Sequence, residues 1–230
     1  MAFVVNLVEY GEGSMMVPPP AQTLCALQSV AVGIDIGQKR DPTAIAVCEV
    51  EWRECDGCRE DHYLVRHLER LPLGTPYPAV AQRLGAIVTH VQMLARPADR
   101  VKPTIWLDAT GVGQPVVDLL TQAGLPATAV YFTYGDRLTE NRQACTVSLG
   151  KALLVSRLQV LLQSRRVHLP RTPEARVLAE ELLDYEIHVS EQANDTYGAF
   201  RVGAHDDLVS ALGLAVLAAE RGGRAGVWLV

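Results

Sequence analysis

Val30-Ala-Val-Gly-Ile-Asp-Ile-Gly37 and the nearby run Thr43-Ala-Ile-Ala-Val-Cys-Glu-Val50 are the two stretches on which the expected architecture depends. In the first, residues Val30 to Ile34 form a short, continuously apolar run that is followed by Asp35. This pattern is typical of a central strand whose carboxyl end meets solvent. Gly37 permits a tight turn, and the second run is rich in β-branched residues, which favours another strand. A third strand is predicted from Tyr63 to Leu71, so the chain is expected to begin with an antiparallel meander.

Helical and strand patterns alternate after the meander. This order predicts an α/β fold, a mixed sheet with helices on both faces. The first predicted elements are a helix from Pro78 to Ala95, a strand from Thr104 to Leu107 leading into Asp108, a helix from about Pro115 to Ala123 and a strand from Ala127 to Phe132. They are followed by a long helix from about Val147 to Gln163 and a helix capped by Thr172 and started by Pro173. The last are a hairpin of Tyr185 to Val189 and Tyr197 to Val202, and a well-buried helix from Asp206 to Arg221.

Length, composition and charge indicate one globular domain. A chain of 230 residues with 49% apolar residues suits a single buried core, expected over residues 29–230 after an irregular leader at 1–28. The start lacks the basic segment of a secretion signal, and no stretch has the roughly eighteen uninterrupted apolar residues of a membrane span. The formal charge of -5 argues against bulk electrostatic coating of nucleic acid, so any contact with DNA must be local.

The five cysteines, Cys25, Cys48, Cys55, Cys58 and Cys145, are odd in number and mostly lie in apolar runs. This suits reduced thiols in a cytosolic compartment, without a disulfide framework. Cys55 and Cys58 form a single CxxC with no second pair and no His-x-His motif downstream, so a zinc site would lack half its ligands. The favoured interpretation is a turn from Cys55 to Asp61 that joins two strands.

Acidic residues stand where the predicted backbone would bring them together. Asp35 and Asp108 each end a strand, and Asp206-Asp207 begins the last helix. Ligand sites in α/β sheets form at the carboxyl ends of strands, and a helix start favours negative charge. Two carboxylates about 4 Å apart repel by roughly 4 kcal/mol at an effective dielectric of about 20, so such a cluster is costly without cations.

Divalent cations explain such a cluster best. Two Mg²⁺ or Mn²⁺ ions about 4 Å apart can activate a water and stabilise the leaving oxygen of a phosphodiester. No protein nucleophile is then required, and the sequence has no nucleophile elbow, HExxH or P-loop. Taken singly, Asp35 is typical of a tight turn, Asp206 of a helix cap and Asp41 before Pro42 of an ordinary turn. Only their joint occurrence indicates a metal site.

Three motifs carry a family resemblance over about Val30 to Ala219. They are Gly33-Ile-Asp-Ile-Gly-Gln-Lys-Arg-Asp-Pro-Thr-Ala-Ile-Ala-Val47, Leu107-Asp-Ala-Thr-Gly-Val-Gly-Gln-Pro-Val-Val-Asp-Leu-Leu120 and His205-Asp-Asp-Leu-Val-Ser-Ala-Leu-Gly-Leu-Ala215. In this order they resemble the acidic motifs of the nuclease domain of the large terminase subunit of tailed phages. The resemblance implies a ribonuclease H-like sheet, with three antiparallel strands and then parallel ones. It also implies a metal-dependent endonuclease that hydrolyses phosphodiester bonds of double-stranded DNA when concatemeric viral DNA is packaged.

Site roles follow from the same resemblance. It implies Asp35 as the bridge between two Mg²⁺ or Mn²⁺ ions, Asp108 as a ligand of one, and Asp206 with Asp207 as ligands of the other, with Asp207 the preferred direct ligand. Asp41 would support the site or hold a water, and His205 would orient a carboxylate or meet the scissile phosphate. The candidates for contact with DNA phosphates are Lys39, Arg40, Lys151, Arg157 and Arg201, with Arg137, Arg142, Arg165 and Arg166 in addition.

The implied partners are double-stranded DNA, a separate packaging ATPase, a small terminase subunit and a portal, in the cytoplasm of a bacterial host of a virus or prophage. No phosphate loop of the GxxxxGK[ST] type is present, so the prediction concerns cutting and not translocation. Three alternatives stay open: a junction resolvase, an inactive scaffold, and a single-lobe actin-like or sugar-kinase-like nucleotide-binding domain. The last is suggested by Asp35-Ile-Gly37 and Asp108-Ala-Thr-Gly-Val-Gly113, which resemble phosphate-binding turns.

Overall fold

The computed structural model describes residues 29–37, 41–55, 57–94, 102–111, 114–184, 186–189, 195–198 and 206–222. The predicted leader at 1–28 lies outside these ranges, as do Lys39, Arg40, Arg201 and His205. The elements are β1 (Ser29–Asp35), β2 (Ala44–Cys55), β3 (Cys58–Arg70), α1 (Tyr77–Leu94), β4 (Thr104–Asp108), α2 (Gln114–Gln122), β5 (Thr128–Thr133), β6 (Leu138–Asn141), β7 (Thr146–Gly150), α3 (Lys151–Gln163), β8 (Val167–His168), α4 (Pro173–Asp184), β9 (Glu186–Val189), β10 (Asp195–Gly198) and α5 (Asp207–Gly222).

The predicted mixed sheet is confirmed. Eight strands pair in the order β6-β7-β5-β4-β1-β2-β3-β8, and β9 with β10 forms a separate two-stranded sheet. β1, β2 and β3 are the predicted antiparallel meander, whereas β4, β5 and β7 join β1 as parallel strands. Because β3 is antiparallel to β2, it runs in the same direction as β1. The carboxyl ends of β1, β3, β4, β5 and β7 therefore meet at one edge of the sheet.

The long helix predicted from Val147 is wrong at its start. Thr146–Gly150 is the strand β7, which pairs with β5 on one side and β6 on the other, and the helix begins only at Lys151. Val147 and Leu149 are buried while Ser148 is exposed, so this segment has the two-residue period of a strand. The sequence alone could not separate the two patterns, because apolar residues recur at short spacing both before and after Gly150.

The predicted turn from Cys55 to Asp61 is also wrong in extent. Cys55 pairs with Cys58, so β2 and β3 continue almost to the tip of the hairpin. The charged residues at 59–61 suggested a loop, but they lie on a hairpin that extends beyond the buried core. The short strands β6 and β8 were not predicted either, since four and two residues give little periodicity.

Helices cover both faces of the sheet, as predicted. One core lies between the sheet and α1 with α2, and a second lies between the sheet and α3, α4 and α5. Every residue of α5 from Asp207 to Ala219 is buried. None of the helices in the described ranges is long and apolar enough to cross a membrane.

Small side chains let α5 lie close to the sheet. On the side of β1 and β2 that faces α5, the chain has Ala31, Gly33, Ala44 and Ala46. On the opposite side, the same strands have larger residues such as Ile34 and Ile45. This alternation of size sets the height of α5 above the sheet.

Replacing Gly33 with alanine is therefore expected to destabilise the protein. A Cβ atom at this position would lie 2.0 Å from the backbone oxygen of Ala211 and 2.4 Å from the backbone nitrogen of Ala215. Neither atom can move unless α5 shifts as a whole. We expect urea unfolding to show a loss of about 3 kcal/mol, the upper end of usual overpacking costs.

Gly85→Ala, within α1, is the matched control. The nearest atom to a new Cβ there is Cδ1 of Leu125 at 3.9 Å, an ordinary contact. Because alanine favours a helix interior over glycine, this variant should be more stable by about 0.5–1 kcal/mol. Equal stability of Gly33→Ala and the unsubstituted protein would contradict the close packing of α5 on β1.

Candidate metal centre

Acidic side chains converge where the parallel strands end. β1 and β4 are neighbours in register, so Asp35 lies directly beside Asp108. Asp35 is two residues after Gly33 and shares its side of the sheet, the side that α5 covers. Asp206 and Asp207 stand at the start of α5. The structure thus brings the four predicted aspartates to one edge of the sheet.

The electrostatics of Asp35 and Asp108 indicate a shortage of positive charge. Burial, and then the charge of Asp108, holds the pKa of Asp35 well above its ordinary value, with smaller contributions from Asp206 and Asp207. Burial also raises the pKa of Asp108, although hydrogen bonds from Thr110 act in the opposite direction. The Thr110 amide donates to Asp108 Oδ1 at 2.8 Å. These carboxylates would be more stable with a cation between them.

Lys151 places one positive charge in this cluster. Its Nζ lies 3.2 Å from Oδ2 of Asp206 and 5.3 Å from the centre of the Phe132 ring. Lys151 is the first residue of α3, directly after Gly150 of β7. A cation at a helix start is unfavourable because of the helix dipole, but the neighbouring carboxylates offset this cost. The sequence had suggested Lys151 as a contact for DNA, and the structure places it among the acidic residues.

Asp207 has a different environment from Asp206. Its Oδ2 accepts a hydrogen bond from Nε of Arg70 at 2.6 Å, and the Arg70 guanidinium also binds Glu181. Asp207 is 4% exposed and Glu181 8% exposed. Arg70 ends β3 and Glu181 lies on α4, so this buried triad ties α4 and the start of α5 to the sheet edge.

Glu181 also caps α5. Its Oε2 accepts the backbone N–H groups of Leu208 at 3.1 Å and Val209 at 3.3 Å, two of the donors that a helix start leaves without partners. Burial, and then the charge of Asp207, raises the pKa of Glu181 to about 7, although Arg70 opposes this shift. The cap is charge-assisted, so its strength depends on Glu181 staying ionised.

Sequence reasoning missed the roles of Arg70 and Glu181. Glu181 lies on the face of α4 that includes the buried Leu178 and Leu182. An acidic residue within an apolar helical stripe is a signal that could have identified it. Arg70 gives no comparable signal, because its partners are more than a hundred residues away in the sequence.

The remaining predicted residues are spread over the molecule. Asp41 is exposed in the turn after β1, where its backbone oxygen packs against Gly37. Arg157 donates from Nε to Oε1 of Glu220 at 2.6 Å, near the opposite end of α5, so it is not brought to the acidic cluster. Arg166 donates to the backbone oxygen of Asp61 at 2.7 Å, and Arg142 is exposed.

The donor set fits hard divalent cations. Carboxylate oxygens are the ligands that Mg²⁺ and Mn²⁺ prefer, and a cation would offset the burial and the neighbouring acids that raise the pKa values of Asp35 and Asp108. Within the described ranges, no three of the aspartates each bring an oxygen within 4.8 Å of the others.

Comparison with solved structures identifies the fold. The large terminase nuclease from the thermophilic phage G20c superposes with a TM-score of 0.59 at 20% sequence identity, and the match covers 93% of each chain. This chain has the fold of the large terminase nucleases. The Thermus phage P74-26 nuclease domain gives a TM-score of 0.52 at 18% identity, covering 93% of this chain and 89% of that one. The terminase nuclease domain of human cytomegalovirus gives 0.55 at 14% identity, covering 85% of each chain.

The ribonuclease H-like expectation for the sheet is thereby confirmed at the level of the fold. The sequence matches no protein-family model and no curated protein. Among the structures with the terminase-nuclease fold, the G20c protein has been solved with bound magnesium, with cobalt and with zinc, and the cytomegalovirus domain after a manganese soak.

Proposed function

We propose that this protein is a metal-dependent endonuclease that hydrolyses phosphodiester bonds of double-stranded DNA. One observation carries the proposal: Asp35 and Asp108 lie side by side at the ends of adjacent parallel strands, with pKa values raised by burial and by neighbouring acids. A cluster of this kind is stabilised by divalent cations, and the terminase-nuclease fold supports a role for them in hydrolysis.

Asp35, Asp108 and Asp206 are the proposed ligands. Two Mg²⁺ or Mn²⁺ ions held by them would activate a water and stabilise the oxygen that leaves the phosphodiester. Asp206 is favoured over Asp207 as the direct ligand, because Asp207 is buried in contact with Arg70 whereas Asp206 faces Lys151 in the acidic cluster. This assignment departs from the preference for Asp207 that the family resemblance implied.

The other residues of the site hold this arrangement. Thr110 fixes the Asp108 carboxylate through its amide, and the Phe132 amide donates to Thr110 Oγ1 at 2.8 Å. Arg70 and Glu181 fix the start of α5, and with it the backbone of Asp206. Lys151 reduces the negative charge that a DNA phosphate would meet on approach. Asp41 and His205 keep their predicted supporting roles in this proposal, and Lys39, Arg40 and Arg201 their predicted DNA-binding roles, whereas Arg157, paired with Glu220, does not.

The proposed setting is the packaging of viral DNA. There the protein would cut concatemeric DNA beside a separate packaging ATPase, a small terminase subunit and a portal, in the cytoplasm of a bacterial host. Its net charge of -5 fits local contact with the DNA backbone better than a large basic surface.

Cleavage of supercoiled plasmid tests the proposal. We expect nicking and linearisation in Mg²⁺ or Mn²⁺, and none in EDTA. Asp108→Asn should slow cleavage by about 100-fold or more, because a ligand that balances positive charge is lost. Asp118→Asn is the matched control, since Asp118 is exposed on α2, where its Oδ1 accepts a hydrogen bond from the Gln114 side chain.

The alternatives give different results in the same experiment. Cleavage of four-way junctions with plasmid left intact would identify a junction resolvase. Tight ATP binding without cleavage would identify a nucleotide-binding domain, and bound metal without cleavage of any DNA would indicate an inactive scaffold. Equal loss in Asp108→Asn and Asp118→Asn would refute the proposed site.

A further inference from the structure

A second group of metal-ligating side chains lies at the tip of the β2–β3 hairpin. One ligand atom each from Cys55, Glu60 and His62 lies within 4.8 Å of the other two. β2 begins at Ala44, which pairs with Asp35, and ends at Cys55. At about 3.3 Å per residue, the hairpin tip is roughly 36 Å along the strand from the acidic edge. This group is therefore separate from the proposed nuclease centre.

His62 has a buried nitrogen that faces this group. The residue is 8% exposed, and its Nε2 atom makes no hydrogen bond to any residue that the structure describes. The nearest oxygen of Glu60 is 3.9 Å away, beyond hydrogen-bond distance. Because a buried polar atom without a partner is unfavourable, a ligand at this nitrogen would stabilise the protein.

His168 orients the His62 ring from the other side. Its Nε2 lies 2.9 Å from Nδ1 of His62, and the two rings stack with centres 5.2 Å apart. When Nδ1 of His62 donates its proton to His168, Nε2 of His62 keeps a free lone pair, and an oxygen of Glu60 lies 3.9 Å from this atom. Metal-binding histidines are usually held in this way by a partner on their second nitrogen.

The charge state of both rings suits this arrangement. Burial, and then the charge of Arg53, lowers the pKa of His62 to about 4 and that of His168 to about 4. The 2.9 Å contact between the two ring nitrogens requires one ring to donate and the other to accept. Neutral imidazole is also the form that binds metals.

We propose that Cys55, Glu60 and His62 bind one Zn²⁺ ion, with His168 as the residue that positions His62 and a water as the fourth ligand. Sulfur, nitrogen and oxygen donors together favour zinc over Mg²⁺ or Mn²⁺, which prefer oxygen alone. On binding, the Cys55 thiol releases its proton to solvent and the thiolate bonds to the ion. The ion would link both strands of the hairpin beyond the buried core.

The sequence alone could not identify this group as a metal site. The CxxC supplies only half the ligands of a zinc site and favoured a turn, and its second cysteine, Cys58, is exposed and lies outside the group. The histidines are not adjacent in the sequence, since His62 is on β3 and His168 is on β8. Only the parallel pairing of β8 with β3, which aligns Leu64 with His168, brings the two rings together.

Metal analysis of the full chain tests the proposal. We would use an Asp35→Asn/Asp108→Asn background, which silences the acidic centre, so the outcome does not depend on nuclease activity. After incubation with Zn²⁺ and dialysis, we expect about one zinc per chain. Replacement with Co²⁺ should give the thiolate-to-cobalt charge-transfer band and the visible bands of a tetrahedral site.

Two variants, Cys55→Ser and His62→Gln, should each reduce the bound zinc to background and abolish the cobalt–thiolate band. Cys145→Ser is the control and should change neither readout, because Cys145 is an exposed thiol elsewhere in the protein. His168→Leu should weaken zinc binding by about 10–100-fold, whereas His168→Gln, which keeps an acceptor for Nδ1, should restore it. Full zinc binding in Cys55→Ser or His62→Gln would overturn the proposal. If those variants do not fold, absence of the cobalt–thiolate band in the parent chain would overturn it alone.

Discussion

Asp35→Asn is expected to reduce metal-dependent cleavage by at least about 1,000-fold. The charges of Asp108, Asp206 and Asp207 all raise the pKa of Asp35, after the larger effect of burial, so Asp35 lies close to all three. Removing its charge takes away the ligand that would hold both cations, and a loss of several kcal/mol of stabilisation corresponds to about this factor. Plasmid cleavage measured under single-turnover conditions in Mn²⁺ would give the ratio directly.

The same substitution should make the metal-free protein more stable. Because the pKa of Asp35 is raised well above 3.8 in the folded state, the wild-type protein in EDTA should lose stability as the pH rises from about 4 through that raised value. The Asn variant lacks this part of the pH dependence. Added Mg²⁺ should stabilise the wild-type protein and not the variant.

Asp118→Asn is again the control for both measurements, because this exposed residue should change neither cleavage nor urea unfolding by more than a small amount. A destabilised Asp35→Asn protein would show that the carboxylate is structural. Retained cleavage would remove Asp35 from the proposed centre.

Arg70→Met is expected to cost about 3–5 kcal/mol of the free energy of unfolding. Its guanidinium is the shared partner of Asp207 and Glu181, both buried, and the substitution leaves two carboxylates without this compensating charge. Breaking a buried ion pair from one side typically has this cost. Urea unfolding in EDTA at neutral pH would measure it.

Arg83→Met provides the comparison for Arg70→Met. Arg83 pairs with Glu69 at 2.9 Å, but it is 44% exposed, so its removal should cost no more than about 1 kcal/mol. The penalty of Arg70→Met should shrink at pH 5, because Glu181, whose pKa is already raised to about 7, then takes up a proton and relieves the repulsion. Equal penalties for the two arginines would contradict the importance of the buried triad.

Local sequence pattern was sufficient for most of the fold. The apolar runs before Asp35 and Asp108 identified β1 and β4 and placed both residues at strand ends, as the structure has them. The apolar repeat of α5 identified a buried helix. These features depend on residues close together in the chain, where periodicity is informative.

Features that depend on distant pairing could not be predicted. The side-by-side placement of Asp35 and Asp108 needs the β1–β4 register, and the start of α3 at Lys151 depends on β7 finding its neighbours β5 and β6. Arg70 and Glu181 meet across 111 residues, and His62 and His168 across 106. No local pattern encodes such contacts, so the residues that position the ligands of both sites could be identified only from the structure.

The close packing of α5 on β1 determines how accurately the acidic centre is built. Gly33 brings the backbone of α5 against the strand that ends at Asp35, with no deformable side chain between them. Contact between two rigid segments of backbone therefore fixes the distance from Asp35 to the start of α5, and the site is preorganised. Substitutions on the side of α5 toward α3 and α4 can alter stability while leaving this spacing unchanged. Substitutions intended to raise the heat tolerance of the protein could therefore begin on that side of α5 without changing the geometry of the acidic centre.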